Sequence, residues 1–79
     1  MDSNLTLYPI STGNELNVFS DEPIKHIKIM DMAGNLVNEC SAHASTQNTI
    51  DIRHLPNATY IVEVQFDNNR LKRSVFVKT

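Results

Sequence analysis

Leu55-Pro56-Asn57-Ala58-Thr59-Tyr60-Ile61-Val62-Glu63-Val64 decides the fold class of this chain. Pro56 has a fixed φ and no N–H, so Leu55-Pro56 punctuates the chain and launches a new element. From there the residues alternate with a period of two, which puts Tyr60, Val62, Val64 and Phe66 on one face of a strand. Asn68-Asn69 reverses the chain into a basic final strand, Arg70 to Thr79. That last strand is expected to complete the sheet and to offer an end with free backbone groups that another protein could read.

Working outward, the same signals recur toward the N-terminus. Leu5-Thr6-Leu7-Tyr8 reads as a strand stopped by Pro9, and Ser11-Thr12-Gly13-Asn14 as a turn. Glu15 to Phe19 is a second strand, broken by Asp21-Glu22-Pro23, and Ile24 to Met30 a third. Asp31-Met32-Ala33-Gly34 is a tight turn in which Asp31 bonds its own downstream backbone and Gly34 takes a positive φ. A fourth strand runs from Leu36 to Cys40, Ser41 to Gln47 has no apolar rhythm and reads as a loop, and Asn48 to Ile52 is a fifth strand. Seven short strands with no convincing helix predict an all-β fold, an immunoglobulin-like antiparallel β-sandwich. Leu16, Val18, Ile27, Ile29, Ile50, Ile52, Tyr60, Val62, Val64 and Val75 are its expected core.

The 79 residues suffice for one domain. A chain this short buries roughly 60% of the surface of its unfolded form, which leaves no room for a deep catalytic cleft beside the core. Its 41% hydrophobic and 20% charged residues are ordinary for a globular domain. No run of about 18 apolar residues is present that could span a bilayer. The net charge of −2 hides an asymmetry: residues 1–24 carry four acids and no Lys or Arg, whereas Arg70, Lys72, Arg73 and Lys78 occupy the last ten residues without an acid. Positive charge on a final strand protects a sheet edge from unwanted pairing or steers the domain toward an acidic partner. It does not make a nucleic-acid surface, because the chain as a whole is acidic and no aromatic platform accompanies the cations. The poorly charged Leu5–Tyr8 strand is the expected place for a weak homodimer through an edge.

Residues capable of chemistry are few. Cys40-Ser41-Ala42-His43 has the gap of half a zinc site, but structural zinc takes four ligands, normally from two such pairs. Cys40 is the only cysteine and cannot form an internal disulfide. No paired carboxylates, glycine-rich phosphate loop or Ser-His-Asp set occurs, so neither a catalytic residue, a metal nor a cofactor is expected.

Taken in order, Leu7-Tyr8-Pro9, Glu15-Leu16-Asn17-Val18, Ile27-Lys28-Ile29, Asp31 to Val37, Ile50-Asp51-Ile52, Leu55-Pro56, Thr59 to Val64 and the terminal Val77-Lys78-Thr79 resemble the type A C-terminal sorting domains of type IX secretion cargo from Bacteroidetes. The resemblance spans nearly the whole chain. It implies that residues 1–79 are a single non-catalytic signal carried at the end of a larger secreted precursor. Such a signal is handled by the type IX translocon and shuttle components and removed by a sortase-like protease. The cargo is thereby secreted or displayed on the cell surface. By position, Gly34, Leu36 and Val37 match the family's central motif, Leu55, Pro56 and Tyr60 its late motif, and Val75, Val77 and Lys78 its terminal strand. Of these, Leu36, Val37, Leu55, Tyr60, Val75 and Val77 are expected in the core. Lys78, a cation with little to do in a core, is expected to be read directly. The competing readings are an immunoglobulin-like adhesion or carbohydrate-binding module, for which only Tyr8 and Tyr60 could stack on sugar, and a spacer domain.

Overall fold

Six strands form in the computed structural model, which describes residues 5–8 and 11–79 (only the backbone of Ser11 and Thr12): β1 Leu5–Tyr8, β2 Ser11–Thr12, β3 Glu15–Asp31, β4 Leu36–Asp51, β5 Ala58–Phe66 and β6 Leu71–Lys78. Pro9 lies outside the described residues. Five strands have four residues or more, against seven predicted, because two predicted interruptions do not end a strand. All six belong to one sheet that curls on itself. The hub is β3, which pairs antiparallel with β1 near its start, with β5 toward its end, and with β4 along both parts. The sheet continues from β5 to antiparallel β6, and β6 meets β2 in parallel at Ser11↔Val77 and Thr12↔Lys78.

The first missing interruption is Asp21-Glu22-Pro23. These residues bend β3 without ending it, and the β4 register jumps from Phe19 to Ile24 across them. Pro23 therefore sits where no ladder bond needs its absent N–H, while its carbonyl accepts the Asp67 N–H at 3.2 Å. The second is Ser41 to Gln47, which stays within β4. Ser41 opposes His26 and Ser45 opposes Ile24, so Ala42, His43 and Ala44 face Lys25 alone in a wide bulge. His43 and Ala44 take φ of 51° and 59° to make it, and Ala42 plugs into the core. A left-handed alanine costs about 1–2 kcal/mol through its Cβ. Ala44→Gly, on an exposed site, should thus raise the melting temperature by roughly 5 °C. Differential scanning calorimetry measures it, and no rise would mean that the bulge carries no strain.

Curling brings the inward faces of both arms together. Leu7, Leu16, Val18, Ile24, Ile27, Ile29, Ile50, Ile52, Leu55, Tyr60, Val62, Val64, Phe66 and Phe76 form one buried cluster with Ala42. Nine of the ten expected core residues lie in it; Val75 does not. Strand β6 runs in the opposite phase to the prediction. Leu71, Val75 and Val77 face solvent, and Phe76 and Lys78 face inward. The tight Asp67–Arg70 turn, closed by Phe66 N–H to the Arg70 carbonyl (2.9 Å) and with Asn69 at φ 68°, places Phe76 opposite Tyr60. The two rings stack with centroids 5.5 Å apart. One buried aromatic removes more apolar surface from water than two valines at the margin of a sheet, so the less apolar-looking face wins.

Candidate docking face

The central motif is built on a hairpin turn. The Asp31 carboxylate accepts the N–H groups of Ala33 (3.0 Å) and Asn35 (2.8 Å) and the Asn35 side-chain amide (3.1 Å). These bonds, the Asn35 backbone N–H foremost, hold the Asp31 carboxyl below the ordinary carboxylate range. Gly34 closes the turn at φ 89°, where a side chain would be strained. A register shift follows between Ile29↔Asn38 and Met30↔Leu36. It leaves Leu36 and Val37 both exposed, which corrects their expected place in the core.

The late motif is inward and structural. Leu55 and Tyr60 are buried as expected, and the Tyr60 hydroxyl donates to the carbonyl of exposed Pro56, pinning the turn to the strand it launches. In the terminal strand Val75 is 49% and Val77 40% exposed, so neither is core. Lys78 is only 7% exposed. Its ammonium reaches the Asn57 side-chain oxygen at 3.4 Å and the Thr79 carbonyl at 3.5 Å. The long aliphatic stem lies against the sheet while the head stays polar, which is how lysine covers apolar surface without losing its charge. Lys78→Met should accordingly change stability by less than about 0.5 kcal/mol, whereas Lys78→Ala should cost about 1–2 kcal/mol. Equal losses in urea titrations would instead assign the stabilisation to the charge.

Strand pairing assembles the exposed motif residues on the outer face. Leu36, Met30, Ile61 and Val75 stand directly opposite one another across β4, β3, β5 and β6, and Val77 lies beside them over Thr59. Two residues along, Glu39, Lys28, Glu63 and Arg73 form a row of alternating charge. Arg73 donates to Glu63 at 2.7 Å, and His26 pairs with Glu39 at 2.9 Å. A third outer row is Ser41, His26, Gln65 and Leu71. Met30 and Ile61 escaped the sequence reading, although both are apolar residues at outward positions of strands whose other face fills the core. That mismatch of phase was the available signal.

Elsewhere the chemistry is sparse. Among the described residues no group of three or more His, Cys, Asp or Glu is placed to hold a metal ion. Burial pushes the Cys40 thiol above its usual pKa, which disfavours the thiolate. Asp51 lines an open polar depression with Asn14, Glu15, Thr49 and Arg53. Its carboxylate is gripped by the Arg53 guanidinium at 3.0 and 2.8 Å and held far below the ordinary range, too weak a base for proton transfer at neutral pH. With Tyr60 buried, Tyr8 is the one exposed tyrosine among the described residues, so the paired stacking platform of a sugar-binding module does not form.

No curated protein matches the chain. Among solved structures, CopC from Methylosinus trichosporium OB3b is similar in fold, with a TM-score of 0.60 and 19% identity over 99% of this chain and 92% of that one. The model of the secretion system C-terminal sorting domain matches residues 6–78. The chain belongs to that family, and its general role is that of a C-terminal sorting signal for type IX secretion.

Proposed function

We propose that this domain is a non-catalytic label carried at the end of a larger precursor. It delivers an already folded cargo to the type IX translocon and its shuttle components across the periplasm. A sortase-like protease then removes it as the cargo is released or anchored at the surface. The observation that carries this reading is the family match over residues 6–78, nearly the whole described fold. The curl is read here as an immunoglobulin-like arrangement in which long β3 and β4 pass between two layers. The Tyr60–Pro56 bond supports that, being the corner contact such folds use.

A reporter with a general export leader, fused ahead of residues 1–79, tests the reading in a Bacteroidetes host. The reporter should reach the medium or cell surface in the parent strain and accumulate in the periplasm of a strain lacking the translocon. Export that is indifferent to the translocon would refute the sorting role. Truncation at Val77 removes both β2–β6 pairs and Lys78 as well as any terminal epitope, so loss of export in that variant must be read beside its melting curve.

A further inference from the structure

We infer that the apolar row Leu36–Met30–Ile61–Val75, with Val77 beside it, is the surface on which an apolar, uncharged protein surface of the type IX machinery docks; this rests on the sorting reading above. The core does not need these side chains exposed. Leu36 is 52% and Val75 49% open to solvent, at opposite margins of a row whose members come from four strands. Water-facing positions on a sheet with one buried face are ordinarily polar, as the two neighbouring outer rows are but for Leu71. A continuous apolar row in their place marks a site of interaction.

Two observations choose the occupant. The first is charge. The adjacent row Glu39–Lys28–Glu63–Arg73 alternates in sign and sums to zero, and three of its four members are engaged within the face through Arg73–Glu63 and His26–Glu39. Such a border projects little net field, so it fits neither a polyanion nor a charged lipid surface and favours a neutral, apolar protein partner. The second is size. Four strands at about 4.8 Å spacing give a row roughly 15 Å long. Even with Val77 and Val37 added, that falls well short of the roughly 800 Å² per partner that a stable dimer buries. A small apolar contact suits a partner that binds briefly and lets go, and disfavours a second copy of this chain.

The reporter fusion separates this proposal from the reading beneath it. Leu36→Lys/Val75→Lys puts two cations at the margins of the apolar row. Ser41→Lys/Leu71→Lys puts the same charges at the same two strands in the outer row nearer the hairpin turn between β5 and β6. The first pair should cut the exported fraction about tenfold or more, as loss of a small hot spot would, and the second should leave it within about twofold. Because all four positions are exposed, both variants should keep wild-type melting curves. Should the first pair fail to fold, Leu36→Ser/Val75→Thr is the substitute, with the same expected loss. Leu36→Met/Val75→Ile should restore export. Equal export from the two lysine pairs, with the parent domain still translocon-dependent, would overturn the docking face and leave the sorting role intact. Translocon-independent export of the parent would instead remove the sorting role. A dimer in sedimentation, or binding to phosphatidylcholine vesicles, that is lost in the first pair alone would reassign the face to self-association or to lipid.

Discussion

Phe76→Ala is expected to lower the unfolding free energy by about 3–5 kcal/mol, while Val75→Ala should cost less than about 1 kcal/mol. Phe76 is fully buried, stacked on Tyr60 and registered opposite it, so truncation leaves a cavity between two sheet arms that cannot collapse without bending β5. Val75, its neighbour, faces water. Small domains hold only about 5–15 kcal/mol in total, and this one belongs at the low end. The Phe76 variant should therefore be partly unfolded at 37 °C. Urea titrations followed by circular dichroism measure both substitutions. A larger loss from Val75→Ala than from Phe76→Ala would put the strand in the phase that its sequence suggests and reverse the assignment of its two faces.

Ile29→Ala should cost about 2–4 kcal/mol, and Met30→Ala under about 1 kcal/mol. Ile29 is 1% exposed near the C-terminal end of β3, between Asn38 of β4 and Val62 of β5. Every other strand but β2 and β6 is hydrogen-bonded to β3, so loosening it affects both arms. Met30 lies one residue on and points outward, into the apolar row. Its truncation should spare the fold yet diminish export of a fused reporter. Adjacent residues would then separate stability from recognition. Denaturant midpoints and the exported fraction, measured on the same two variants, decide it.

How much could be read from the chain beforehand depends on which force acted locally. Alternation in β5 and in the two parts of β3 was legible because each strand buries one unbroken apolar face, and period two leaves no alternative phase. The Asp31–Gly34 and Asn68-Asn69 turns were legible because few residues accept their backbone angles. Strand ends were not legible at Pro23 or at Ala42–Ala44. In both places a bend or bulge absorbs the irregularity, and neighbouring ladders carry β3 and β4 across it. Strand β6 misled because both of its faces contain apolar residues. Its phase is set across the hairpin by Tyr60 and by the length of a turn, which no local pattern reveals. The candidate face followed the same rule. Leu36, Val37, Val75 and Val77 were found as motif positions but assigned to the interior, since hydrophobicity alone does not say which side of a sheet a residue occupies.

The junction of β2 with β6 has a consequence for timing. Ser11 pairs with Val77 and Thr12 with Lys78, so the two ends of the fold are stitched to each other. Gly13 leaves space there that no other residue would, since a Cβ on it would sit 2.8 Å from the Thr79 carbonyl oxygen. Contacts this distant along the chain form late, after shorter loops have closed. A domain cut before Phe76 would lack the ring that stacks on Tyr60, and with it the sealed arm on which Val75 and Val77 are displayed. Under the proposed sorting role, a domain without its last strand would lack part of the docking face, and the protein that bears it would present no valid address.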